Sequence, residues 1–277
     1  MRLYQVDAFT ARRFHGNPAA VVPLQVFPDD GVLQGIALEN NLSETAFFAP
    51  AEESAADFRL RWFTPACEVD LCGHATLATA HVLWTELGFD RACVRFDSAS
   101  GPLSVRRDAS RYELDFPALP AREITDVPPA EGELVAAFGV QPARVLGSMD
   151  LLCVFENKRH VHELAPEAHR IRSLCGDRFR GVIATAPGAG HDFVSRFFAP
   201  GAGVDEDPVT GSAHCILTPY WAETLGKTEL TAHQVSARGG ELWCRYDEPA
   251  GRVFISGHAV TYLRGEIEIG EPIESVD

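Results

Sequence analysis

The chain repeats itself, and that repeat constrains its fold more than any other feature. Residues 57–65 (DFRLRWFTP) recur 135 positions later as residues 192–200 (DFVSRFFAP), with five of nine positions identical. After a three-residue insertion the offset becomes 138. Residues 73–101 then align without gaps to residues 211–239, with seven matches in 29 positions. Chance would supply about two, at roughly one identity in sixteen. A duplicated unit of this size implies two similar halves whose equivalent elements sit about a pseudo-twofold axis.

Each half reads alike. A strand rich in Phe and Arg ends at Pro65 or Pro200, since proline cannot continue a hydrogen-bonded ladder. A polar loop leads to a glycine and then a helix, over residues 73–87 with Gly88 as stop and over 211–225 with Gly226 as stop. Pro219 is expected to kink the second helix or shift its start. A Ser-Ala-x-Gly turn and a strand pair follow, at 101–116 and 239–255. Upstream, Asp29 or Asp30 opens a helix to about Glu39, and residues 43–49 read as a strand; 166–175 and 181–186 repeat that order. Residues 117–133, rich in proline and acid, connect the halves, and 134–138 add a short helix. The expected fold is α+β: an N-terminal half over 1–118, a C-terminal half over 119–262, and a tail over 263–277 that returns to the first half. Each half is a strand-rich, barrel-like sheet around a central helix.

Composition limits the partners. A net charge of −15 disfavours nucleic acid and anionic membranes, though local donors in a cleft can still hold a small anion. No run of 18 apolar residues occurs, and the opening MRLYQV reads as a strand rather than a signal core, so a cytoplasmic enzyme is expected. The seven cysteines are scattered without a CxxC pair, and at least six read as buried, reduced thiols.

Chemistry is expected where the duplicated helix starts, Gly73-His74-Ala75-Thr76 and Gly211-Ser212-Ala213-His214, face each other across a cleft. Helix N-termini offer unpaired N–H groups and partial positive charge, which suits a carboxylate substrate whose proton transfer builds enolate-like charge. The polar residues near these starts are Asn17, Ser43, Glu44, Asp70, Cys72, His74, Asp205, Asp207, Thr210 and Ser212. Glu44 heads the apolar run Thr45-Ala46-Phe47-Phe48, a setting in which a carboxylate can serve as general acid and base.

Four motifs then carry a resemblance: Gly16-Asn17-Pro18, Asn41-Leu42-Ser43-Glu44-Thr45-Ala46-Phe47, Cys72-Gly73-His74-Ala75-Thr76, and residues 206–213 (EDPVTGSA). Together, in this order and over nearly the whole chain, they resemble the PhzF-like (phenazine biosynthesis) family, which has the diaminopimelate epimerase fold. The resemblance implies a homodimer and an isomerase without cofactor or metal, with a substrate like trans-2,3-dihydro-3-hydroxyanthranilate. It implies Glu44 as the general acid/base, with His74, Asp207 and Ser212 as supporting catalytic residues. Asn17, Ser43, Gly73, Ala75, Thr210 and Gly211 would bind the substrate.

Other readings compete. Related racemases and epimerases use two cysteines, one per half; Cys72 stands in the first place, and aligning residues 208–211 with the second puts Val209 there. Valine cannot carry a proton, so transfer through one carboxylate fits better, with Cys72 left as packing. Residues 205–209 (DEDPV) also fit the DxDx[TV] pattern of haloacid-dehalogenase-type phosphatases, but Pro200-Gly201-Ala202-Gly203 precedes them instead of a buried strand. His160-Val161-His162 reads as a surface strand rather than a metal site. A non-catalytic ligand-binding protein that kept the duplicated fold is the remaining alternative.

Overall fold

The duplicated sequence forms a duplicated set of strand pairings. The structure, a computed structural model, describes residues 1–51, 55–126 and 129–269. The first half contributes β1 (Arg2–Ala8), β2 (Asn17–Pro23), β3 (Glu44–Pro50), β4 (Phe58–Phe63) and β5 (Glu68–Val69). It continues with β6 (Cys93–Asp97), β7 (Leu103–Asp108), β8 (Arg111–Pro117) and β9 (Arg122–Glu123). The second contributes β10 (Arg144–Gly147), β11 (Leu151–Val154), β12 (Val182–Pro187), β13 (Phe193–Ala199) and β14 (Val204–Asp207). Then come β15 (Glu229–Gln234), β16 (Gly240–Asp247), β17 (Arg252–Gly257) and β18 (Ala259–Glu266).

Within the first half β1–β2 is antiparallel and β2–β3 parallel, β3–β4 and β4–β5 are antiparallel, β4–β6 is parallel, and β6–β7 and β7–β8 are antiparallel. Every one of these pairings recurs nine strands later with the same polarity. The halves are joined by β8 against β17 and by an exchange: β9 crosses to β10, while β18 returns to β1. Among the described residues the result is α+β and strand-rich, one mixed sheet of eighteen strands. The return to the first half begins at Ala259, not at residue 263 as the sequence suggested, because β18 pairs with β1 from Ala8↔Ala259 to Arg2↔Glu266. Residues 270–277 of the expected tail lie outside the described residues.

The identities of the repeat are the residues that make the same bond twice. Arg61 of β4 grips both oxygens of Glu68 at 2.7 Å each, and Arg196 of β13 grips Glu206 at 2.6 and 2.8 Å. Asp57 accepts the Arg95 N–H at 2.9 Å, and Asp192 accepts the Thr231 N–H at 2.7 Å, each closing the crossover to the parallel strand. Glu206 is thereby a structural ion-pair partner.

The central helices are α2 (Gly73–Thr85) and α6 (Gly211–Leu225). Eleven of the thirteen residues of α2 are buried, and ten of the fifteen of α6, so neither has a solvent face of the amphipathic kind. Pro219 does not shift the start of α6. Its missing N–H frees the Cys215 carbonyl, and the Leu119 N–H from the inter-half connection takes that carbonyl at 3.0 Å. Outside the sheet, α1 (Asp30–Asn40) covers β3 and β4 of the first half. In the second half α3 (Glu131–Phe138), α4 (Lys158–Glu163) and α5 (Ala168–Cys175) cover the outer face. His160-Val161-His162 lies in α4, not in a strand. Asn157 Oδ1 caps that helix by accepting the His160 N–H at 3.2 Å, and only Val161 of the three is buried. Five cysteines are buried rather than six, since Cys67 is exposed and Cys93 half-buried. No helix among the described residues is long and apolar enough to cross a membrane.

Gly181, immediately before β12, has no room for a side chain. A Cβ there would lie 2.6 Å from the Phe197 ring and 2.7 Å from the Phe198 carbonyl oxygen. Gly181→Ala should therefore cost about 1–3 kcal/mol, read as a lowered denaturation midpoint; an unchanged midpoint would mean that β12 and β13 are looser than described.

Candidate active site

The starts of α2 and α6 meet backbone to backbone. A Cβ on Gly73 would sit 3.5 Å from the Gly211 Cα, and one on Gly211 would sit 3.6 Å from the Gly73 Cα. Neither N-cap residue, Cys72 or Thr210, makes a side-chain bond to its helix. Threonine ordinarily caps well. Here its hydroxyl is diverted to Asp207 Oδ2, which leaves the first-turn N–H groups of α6 open.

Around this contact the structure gathers most of the expected residues. Glu44 stands at the head of β3, and its Oε2 lies 3.1 Å from Nε2 of the buried His74. On the other side of the imidazole, Nδ1 lies 3.4 Å from Cys72 Sγ and 3.2 Å from Asn17 Nδ2. Asn17, fully buried at the head of β2, donates from Nδ2 to Asp207 Oδ1 at 2.8 Å and to the Val209 carbonyl at 2.9 Å. Ser43 precedes β3, Ala75 is buried in the first turn of α2, and Ser212 follows Gly211. Asp70 and Asp205 are exposed and outside the cluster. Three buried atoms at its centre, Asn17 Oδ1, Glu44 Oε2 and His74 Nε2, have no hydrogen-bond partner; the Glu44–His74 contact is close but poorly angled. Unpaired buried polar atoms are costly, so such a group points to a ligand. Two clefts of about 570 and 410 Å³ elsewhere on the surface include none of these residues.

The electrostatics pull in opposite directions. Burial drives the His74 imidazole down, and Cys72 first and Glu44 second push it back up, so the net direction is upward. The Cys72 thiol is pushed up to about 11, first by burial and then by the Glu44 charge, so it stays protonated at neutral pH. The partner that holds a proton on His74 is therefore Glu44. The protonated Cys72 thiol, 3.4 Å from Nδ1, can donate to it, which suits the neutral ring protonated at Nε2. Neutral or charged, the ring presents Nε2–H to Glu44. Burial pushes the Asp207 carboxyl up to about 6; the charge of His74 and the bonds from Thr210 and Asn17 only partly offset this.

Glu44, Cys72 and His74 could each offer a metal ligand within 4.8 Å of one another. The imidazole, however, stands between the other two, with one nitrogen toward each.

The place of a second thiol needs correction. Cys72 and Thr210 are both N-caps one residue before the facing glycines, so Thr210 is the structural equivalent of Cys72, and Val209 is one residue too early. A threonine hydroxyl engaged with Asp207 still offers no second thiol base. Strand register extends the equivalences. Thr45 pairs with Phe63 and Val182 with Phe198, its repeat partner, so Glu44 corresponds to Gly181 and Ser43 to Arg180.

Sequence reasoning missed three residues around the site. Gln234 is fully buried and accepts the Thr210 N–H at 2.9 Å while donating to the Asp207 carbonyl at 2.7 Å. Arg238 donates to the Gly16 and His15 carbonyls at 2.8 and 2.9 Å and to Asp7 Oδ1 at 2.8 Å, which ties the segment before Asn17 to the second half. Arg180 bonds to Ser212. The repeat did not point to Arg180: its offset of 135, carried upstream, sets Arg178 opposite Ser43, and only strand register brings Arg180 there.

The chain is similar to known proteins over nearly its whole length. The model of a family described as phenazine biosynthesis-like protein (PhzC-PhzF) matches residues 6–265. An uncharacterized isomerase of Pseudomonas aeruginosa is 50% identical over 270 residues, covering 97% of this chain and 99% of the relative. The crystal structure of a phenazine biosynthesis protein of the PhzF family from Enterococcus faecalis has a TM-score of 0.89 at 43% identity, covering 97% of this chain and 99% of that one. A probable proline racemase from Agrobacterium radiobacter has a TM-score of 0.69 at 11% identity, over 99% of this chain and 94% of that one, a likeness of fold alone.

Asp207 gives the site a pH signature. Its folded pKa, about 6, is above its ordinary 3.8, so the folded state binds the extra proton between those values. Its contribution to stability is complete below 3.8 and lost as pH rises through about 6. Urea midpoints of the wild type minus those of Asp207→Asn should fall across that window and then level off; a flat difference would show that Asp207 is not buried as described.

Proposed function

The chain belongs to the phenazine biosynthesis-like family and is an isomerase, and on that premise we propose that it moves a carbon-bound proton within a small carboxylate substrate, with Glu44 as general acid and base. The observation that carries this reading is the contact of Glu44 Oε2 with His74 Nε2 at 3.1 Å, both atoms buried and otherwise unpaired beside the meeting helix starts.

In this mechanism Glu44 removes a proton from one carbon of an allylic system. The electron pair moves through that system toward the substrate carboxylate, and protonated Glu44 returns the proton to another carbon. Substrate and product differ only in the positions of one C–H bond and one double bond. His74 presents Nε2–H to Glu44 and keeps the carboxylate aimed in the resting state. The open N–H groups at Gly73–Ala75 and Gly211–Ala213 face the negative charge that develops during transfer. Asn17 and Thr210 hold Asp207 in place as a second proton store.

The substrate is of the trans-2,3-dihydro-3-hydroxyanthranilate kind, and turnover needs no cofactor. The reading also takes the fold as that of the diaminopimelate epimerases and the protein as a cytoplasmic homodimer. Two-base epimerisation is disfavoured because Thr210 stands where the second thiol would be.

The test is deuterium wash-in from heavy water across a panel of cyclic β-hydroxy and unsaturated amino acids, followed by NMR. Glu44→Gln should lower exchange by at least about 100-fold without loss of folding. Full exchange in that variant would remove Glu44 from its role. Cys72→Ser should change the rate little; a loss as deep as that of Glu44→Gln would mean thiol chemistry.

A further inference from the structure

The proton-transfer groups lie in one half of the site. In the other half, Gly181 takes the place of Glu44 and cannot carry a side chain against Phe197 and Phe198. The neighbouring residue, Arg180, reaches the start of α6 instead. Its Nη2 donates to Ser212 Oγ at 2.9 Å, and Ser212 is the repeat equivalent of His74.

Arg180 is held rigidly. Its Nε and Nη2 donate to the two oxygens of Asp150 at 3.0 and 2.6 Å, and the Asp150 side chain is fully buried. The Phe197 ring lies 5.3 Å from the guanidinium carbon. A guanidinium pinned by a bidentate carboxylate on one edge and a ring on one face cannot swing away, and its remaining donors are preorganised. Those donors are the two N–H groups of Nη1, which bond to nothing among the described residues, on a side chain 37% exposed. Ser212 accepts from Arg180, so its own hydroxyl hydrogen is free to donate elsewhere. The uncapped first turn of α6 adds backbone donors at the same place. With Glu44 and Asp207 nearby and a net charge of −15, an incoming anion needs such a local donor set.

We propose that Arg180, fixed by Asp150, forms with Ser212 an anion subsite that takes the substrate's carboxylate and turns its exchangeable carbon toward Glu44. Which end faces Glu44 rests on the proton-transfer reading; the place of the anion does not. The substrate class is then a small acid whose carboxylate lies on the α6 side of the Gly73–Gly211 contact, and neutral analogues of the same shape bind more weakly.

Titration calorimetry with 2-aminobenzoate and with uncharged 2-aminobenzamide tests this. The wild type should bind the acid at least roughly tenfold more tightly than the amide. Replacing the ion pair by a neutral pair, Asp150→Asn together with Arg180→Gln, should weaken acid binding by roughly 10- to 100-fold and leave amide binding unchanged. Ser212→Ala leaves the ion pair intact and should weaken acid binding by about three- to tenfold, so the test survives if the double variant fails to fold. Absence of binding by the wild type, equal affinity for the two probes, or an undiminished acid preference in both variants would overturn the subsite. Lost anion preference with deuterium wash-in intact refutes the subsite alone; preference retained without wash-in in the wild type refutes the proton-transfer reading alone.

Discussion

The contact of Gly73 with Gly211 governs the rest of this structure. The two central helices start against each other at these glycines, where a Cβ on either would already be in van der Waals contact, 3.5–3.6 Å, with the Cα of the other. Bringing two helix N-termini together concentrates two partial positive charges and two sets of unpaired N–H groups at one place. Negative groups answer that charge: Glu44 from the head of β3 and Asp207 from the end of β14 both lie beside it. The exchange of β9 and β18 between halves, with the β8–β17 pairing, keeps the two helices in register.

The fold is symmetric and the site is not. Equivalent positions carry different chemistry: Glu44 against Gly181, Ser43 against Arg180, Cys72 against Thr210, His74 against Ser212. One half therefore presents a carboxylate–imidazole pair and the other a guanidinium–hydroxyl pair. Duplication supplied the frame, and the two halves diverge in chemistry at these four positions. Links between halves hold this division in place. Asn17 of the first half bonds to Asp207 and Val209 of the second, and Arg238 of the second bonds to Gly16 and His15 of the first.

Much of this was legible in the sequence because the repeat is a local signal. Gly88 and Gly226 mark the ends of the central helices with positive φ, and α6 begins at Gly211 as read. Glu44, His74, Asn17 and Asp207 were all nominated, and all four meet. Where sequence reasoning failed, a hydrogen bond that the pattern did not display was responsible. Pro219 leaves the start of α6 unmoved because Leu119, a hundred residues away, takes the freed carbonyl. The segment around His160 is helical because Asn157 caps it.

The sequence by itself determined that there are two halves, where their central helices begin, and which motif residues stand beside those beginnings, since glycines, caps and repeat offsets act over a few positions. Tertiary structure alone decided that His74 stands between Glu44 and Cys72, that Arg180 faces Ser212, and that Arg180 is locked by a buried Asp150. Those facts depend on strand register and on the direction of buried side chains. Packing across the whole sheet sets both, and no local pattern of residues encodes them.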